Sequence, residues 1–222
     1  MLPQIATRFF PFPLPWVDAI KKTWVWVELI VLLLLANQVL WTAPDARGKL
    51  KLVGCVWVLA TVIVDLLFDL TDLEELGLLP KRSRQIGDYA LFGFLVAGIL
   101  MVVGLAFRLV HGPYLEQFLF HKSGYALVGF GQEFLLQSCL LRYLKRIMGT
   151  SNPRCSLLAA IIFSWCHRPN YYLMATTLAG GYLGCRVFKK HGNLYEVSTV
   201  HAIIGAAIAS FIKINMKVGA GY

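Results

Sequence analysis

The chain is poor in charge. Only 15% of its 222 residues are Asp, Glu, Lys or Arg, against 58% hydrophobic, and its mean hydropathy is +0.64. A soluble domain of this length has no use for so much apolar side chain, so the composition excludes an ordinary water-soluble fold and reads as a protein of the bilayer. Basic patches interleaved with stacking aromatics are missing, so a nucleic-acid partner is not expected, although the net charge is +9. That excess fits loops held near anionic headgroups. No CxxC pair occurs. The five cysteines, Cys55, Cys139, Cys155, Cys166 and Cys185, lie in or beside apolar runs and read as small packing residues. The opening residues MLPQIATRFFPFPLPW hold one basic residue and four prolines, which is no secretory leader. No serine stands in a nucleophile setting, which disfavours a serine protease.

What is present predicts an all-α, polytopic membrane helical bundle of about seven transmembrane helices, forming a single membrane domain. Residues 1–22 read as an interfacial N-terminal segment anchored by Trp16 and phenylalanines. Residues 23–121 read as N-terminal transmembrane helices. The expected spans there are Trp24 to Trp41, Leu50 to Phe68 and Tyr89 to Val110. Glu28 near the start of the first is expected to snorkel. Asp65 and Asp69, four apart on one face, are expected to reach interfacial water. Between Asp69 and Asp88 the pattern predicts a short amphipathic helix, then a basic loop with Lys81, Arg82 and Arg84. Residues 122–214 form the remaining helical core, with spans over Tyr125 to Arg146, Cys155 to His167, Tyr171 to Phe188 and Tyr195 to Ile214. Gly180, Gly181 and Gly184 offer a small-residue face for close packing, and FKKHGN reads as a basic turn. With the N-terminus in the cytoplasm, more of the 21 basic residues fall inside than outside. The expected location is integral and multi-pass, in an inner or plasma membrane.

Three helices carry a titratable side chain inside an apolar run: Glu133 in QEFLLQ, His167 ending FSWCH and His201 in HAIIG. A carboxylate at mid-membrane costs about 2.5–3.5 kcal/mol on insertion scales and marks a functional site by default. The bland alternatives are a histidine bonded to a neighbouring helix, or a protonated carboxyl bonded to a backbone carbonyl. Together the three have the chemistry to deprotonate a water and to stabilise an oxyanion. They are also a zinc-type ligand set. Either way the reaction is hydrolysis of a carbonyl compound in the membrane; no cofactor is favoured, zinc being the one alternative.

QEFLLQ, FSWCH, GGYLGCRVFKKHGN and HAIIG, in this order over about residues 125–210, resemble the CPBP family of CAAX-processing and bacteriocin-processing (Abi-type) intramembrane proteases. The resemblance implies a peptidase that activates water with glutamate and histidine and cuts a membrane-anchored protein or peptide. Carried over by position, His167 activates the water and His201 donates to the oxyanion. The usual first motif, EExxxR, is altered: Gln132 stands for its first glutamate and Gln137 for its arginine, and Gly205 stands for an asparagine after the last histidine. The candidate catalytic residues are Glu133, His167, His201 and Gln132, with Glu133 as the base. The alternative is a catalytically inactive subunit of this fold, a scaffold or assembly partner beside other membrane subunits. A distant third is an ion-coupled carrier using Asp65, Asp69 and Glu133, for which no inverted repeat is visible.

Overall fold

The computed structural model describes residues 23–35, 44–67, 71–79, 86–107, 124–150 and 152–211. The interfacial segment 1–22, Asp69, the basic loop with Lys81, Arg82 and Arg84, and the stretch 114–121 lie outside the described residues. Within them every regular element is helical. In chain order these are α1 (Thr23–Leu35), α2 (Pro44–Leu67), α3 (Ile86–Ala106), α4 (Gly124–Glu133), a π-helical stretch (Phe134–Leu141), α5 (Arg142–Met148), α6 (Arg154–Trp165), α7 (Tyr171–His191) and α8 (Leu194–Phe211). Two, α3 and α8, are long and apolar enough to cross a membrane; α1, the Val56–Leu67 part of α2, and α6 are shorter apolar helices. The whole is an all-helical integral membrane bundle.

The centre of the bundle is the path α4, π-helical stretch, α5. From Leu136 to Leu144 every side chain is buried, and that run packs against Val25 and Leu29 of α1, Val58 and Val62 of α2, Leu76, Ala159 and Cys185. Such an element, covered all round, has no polar face to spare. π-helical winding opens the backbone ladder, and side chains complete the bonding here. Arg142 donates from Nε to the Ser138 carbonyl at 2.8 Å, and Ser138 donates its hydroxyl to the Leu76 carbonyl at 2.7 Å.

A buried charge cluster sits beside it. Arg142 Nη1 lies 2.6 Å from Asp65 Oδ2, with 1% and 0% of the two side chains exposed. Glu28 is likewise buried, against Asp65, Arg142 and Tyr143. Asp65 and Glu28 therefore do not reach interfacial water as expected. A single guanidinium draws both inward, because a charge in hydrocarbon is tolerable only where it is paired.

The amphipathic helix expected after Asp69 is instead a compact turn over residues 71–79. Gly77 adopts φ +74° there, and its carbonyl accepts from Leu194 N at 3.1 Å. Arg146 and Glu75, 2.8 Å apart, and Tyr195 Oη to the Leu78 carbonyl, 3.3 Å, fasten the same turn. Helix α7 runs three residues beyond the expected Phe188, because Lys189, Lys190 and His191 suit a helix C-terminus. It ends at Gly192 in the left-handed region, after which the buried Asn193 caps α8 through Tyr195 N at 3.0 Å.

Helix α3 shows what the membrane does to a sequence. Only 17% of its most apolar window is buried, while Leu91, Leu95, Ile99 and Val102 are each at least 60% exposed. It meets α8 through its small residues: Gly93 faces Ile203, and Ala97 packs with Ala207 and Phe211. Lipid covers what the protein leaves bare.

Candidate active site

Antiparallel packing of α4 on α8 brings the central carboxylate to a histidine. Gly129 of α4 lies at the contact, where a Cβ would stand in ordinary van der Waals range, 3.4 Å from His201 Cδ2 and 3.5 Å from the Ala202 backbone. One turn later Glu133 accepts a hydrogen bond on Oε1 from His201 Nδ1 at 2.7 Å. Its other oxygen, Oε2, accepts from Gln137 Nε2 at 2.8 Å. Glu133 is 5% exposed and Gln137 is fully buried, whereas 17% of the His201 side chain remains accessible. The carboxylate is thus held inside and the imidazole is the more accessible of the two.

The donors define the protonation pattern. The Gln137 amide donates to Glu133 Oε2, and in the Nδ1–H tautomer His201 donates to Oε1. In that tautomer Nε2 of His201 carries no proton and can accept one. His167 lies in the turn after α6, and its Nδ1–H donates to the Phe163 carbonyl at 2.8 Å, leaving its Nε2 in the same condition. The Phe163 ring links the two imidazoles, edge-on to both, 4.9 Å from His167 and 6.4 Å from His201 between centroids.

Small residues on α7 close the floor. Gly181 meets Phe163 and Ala160, and a Cβ on Gly184 would lie 3.3 Å from Gln137 Nε2 and 3.8 Å from Glu133 Oε2. The glycine-rich face is used as the sequence predicts, except that Gly180 faces open space.

Of the four candidate residues, Glu133 and His201 bond directly and His167 stands one ring away. Gln132 is half-buried and makes no side-chain hydrogen bond among the described residues. The π-helical stretch begins immediately after Glu133. It changes the winding between the carboxylate and all that follows, which frees Glu133 to face α8 while Gln137 still reaches back to it. No three His, Cys, Asp or Glu side chains among the described residues gather closely enough to hold a metal ion, so the alternative zinc set Glu133, His167 and His201 is not assembled as three ligands.

Two participants carry no signal that the sequence reading used. Tyr125 lies across His201, with centroids 6.4 Å apart. Phe163 is part of FSWCH, but nothing in that motif says its ring bridges two histidines.

No curated protein and no solved structure matches this chain. Residues 115–207, which contain α4 through most of α8 and every residue of this site, match the family model described as type II CAAX prenyl endopeptidase Rce1-like, so over that stretch the chain is similar to an intramembrane peptidase family.

Proposed function

We propose that the protein is a multi-pass intramembrane endopeptidase that hydrolyses a peptide bond near the C-terminus of a prenylated, membrane-anchored protein or peptide. The observation that carries the reading is the Glu133–His201 hydrogen bond of 2.7 Å, with the imidazole accessible and the carboxylate buried behind it. A carboxylate on Nδ1 fixes the ring and stabilises the imidazolium that forms when Nε2 takes a proton. A water between the two Nε2 atoms of His201 and His167 would donate one hydrogen bond to each. As its oxygen adds to the scissile carbonyl carbon, one O–H bond breaks and the proton goes to His201 Nε2. The carbonyl π pair moves onto oxygen. Collapse of the tetrahedral adduct expels the amine, which takes the proton back from the imidazolium.

Roles in this scheme differ from those implied by family resemblance. Glu133 orients the base instead of acting as one, because it lies buried behind the more accessible imidazole and is bonded to its Nδ1. His201 is an acceptor at Nε2, which suits proton removal better than donation to an oxyanion. Gln132 has no part in it. The prenyl anchor and the C-terminal CAAX-type tetrapeptide come from the family description, and a lipid-bathed bundle suits such a substrate. An orientation with the N-terminus in the cytoplasm agrees with the larger share of basic residues on that side.

The test is hydrolysis of a farnesylated, internally quenched peptide ending in a CAAX-type sequence by the full chain in lipid nanodiscs, with His201→Ala as the control. Hydrolysis that the control abolishes supports the proposal; equal rates from both proteins overturn it.

A second reading, an inactive subunit of this fold, is favoured by one observation: Glu133 is satisfied entirely from within, by Gln137 and His201. It predicts no turnover of the peptide and stoichiometric co-purification with another membrane protein.

A further inference from the structure

We infer that the Tyr125 hydroxyl is the hydrogen-bond donor to the oxyanion in the hydrolysis proposed above, filling the space that Gly205 leaves on the His201 face of α8. This rests on the endopeptidase reading and adds a residue to it.

The scheme needs a donor. With Nδ1–H of His201 given to Glu133 and Nδ1–H of His167 given to Phe163, neither free Nε2 carries a proton. Gln137 is spent on Glu133. Position 205, one helical turn beyond His201 on the same face, has no side chain to offer. Something else must meet the negative charge that develops on the carbonyl oxygen, since an unmet oxyanion in a low-dielectric site forfeits the largest single contribution to catalysis.

Tyr125 is placed for this. A Cβ built on Gly205 would run into Tyr125 Cε1 and would lie 2.8 Å from Cζ and 2.9 Å from Oη. The phenol therefore occupies the notch of the missing side chain, and only glycine admits it. Its ring lies over the His201 ring, 6.4 Å between centroids and tilted by 35°. Nothing among the described residues takes a hydrogen bond from the hydroxyl. A tyrosine phenol keeps its proton at neutral pH. No proton is transferred in this role. The O–H stays intact, and the hydrogen bond shortens as the carbonyl π pair moves onto oxygen and relaxes when the C–N bond breaks.

The close fit of ring to glycine ties the two positions together. Enlarging position 205 must push the ring away, and shortening residue 125 leaves a hole over His201.

The test uses the full chain in nanodiscs with the farnesylated quenched peptide. Tyr125→Phe keeps the ring and removes the donor. The expected result is a fall in kcat of about 10²-fold with KM nearly unchanged. A farnesylated peptide aldehyde, whose hydrate mimics the tetrahedral adduct, should lose affinity by a similar factor in this variant. Gly205→Ala should reproduce the loss by displacing the ring. Unchanged kcat in Tyr125→Phe, or full activity in Gly205→Ala, overturns the inference while leaving the peptidase reading intact. A wild-type protein without hydrolysis overturns both. Equal loss of aldehyde and substrate binding in Tyr125→Phe would mark the hydroxyl as a contact to the bound substrate in its ground state and also overturns the donor role.

Discussion

Asp65 Oδ2 and Arg142 Nη1 meet at 2.6 Å, with neither side chain exposed by more than 1%. The pair joins α2 to the central helix path, and Arg142 uses its Nε to bond the Ser138 carbonyl as well. One guanidinium therefore secures both an inter-helix contact and a backbone acceptor inside the π-helical region. Removing one partner of a buried pair strands the other, at a cost of about 3–5 kcal/mol. Asp65→Ala and Arg142→Ala should each lower the stability by that order, read as a fall in the thermal unfolding midpoint in detergent. The double variant Asp65→Leu/Arg142→Met should recover much of the loss. Recovery absent from the double variant would show that the charges are not each other's partner.

Glu28 shares that cluster as the surplus carboxyl, since Arg142 is matched by Asp65. Glu28→Gln keeps shape and polarity and should cost less stability than Asp65→Ala, because Arg142 keeps its 2.6 Å partner. The contrast with Asp65→Ala, read in the same thermal scans, separates the carboxylate that holds the guanidinium from the one that only accompanies it.

Glu133→Gln removes the negative charge behind His201 without changing size. If the carboxylate stabilises the imidazolium, kcat on the farnesylated peptide should fall by about 10³-fold or more, with little change in KM. His201→Ala should fall at least as far. Combining the two substitutions should add little, because residues that act as one unit are not additive. Single-turnover rates of the three variants would settle it.

Gly77 offers a test away from the site. Its φ of +74° suits glycine, and a Cβ there would lie 2.5 Å from Phe188 Cε2 and 3.0 Å from Leu194 N. Gly77→Ala should cost about 1–3 kcal/mol from backbone strain, with further loss from displacing Phe188. Activity per folded molecule should be retained. The measurement is a denaturation midpoint alongside specific activity.

Leu95 reports on the lipid. It is 60% exposed on α3, and Leu95→Arg should raise the cost of inserting that helix by about 2.5–3.5 kcal/mol or more. Glycosylation-tag mapping of α3 should show a smaller inserted fraction. The same change at Asp88, in the first turn of the helix, should have little effect.

Periodicity and hydropathy made the helical bundle legible, since a run such as Ile86–Ala106 has no other reading. The pairing of Glu133 with His201 was foreshadowed by two polar residues in apolar helices, and the packing role of Gly181 and Gly184 by their spacing. Other contacts left no such trace. Asp65 sits near a helix end in the sequence, where interfacial water is the natural partner. What draws it inward is Arg142, 77 positions away, which looks like one more basic residue after an apolar span. Tyr125 reads as the first residue of a span until Gly205 is known to face it. The turn over 71–79 has helix-like spacing of leucines, but the left-handed Gly77 and the carbonyls that Leu76, Gly77 and Leu78 present to Ser138, Leu194 and Tyr195 bind it into another shape. Long-range partnership decides each case, and local propensity does not encode it.

The π-helical stretch between Glu133 and Arg142 sets the phase between two partnerships on a single rod. Upstream, the carboxylate must point at α8; downstream, the guanidinium must point at α2. Deleting one residue within Phe134–Leu141 would turn one end against the other by roughly 100°. Such a shortened chain could keep the Glu133–His201 bond or the Asp65–Arg142 pair, but not both. The extra residue works like the offset between two cams on one shaft.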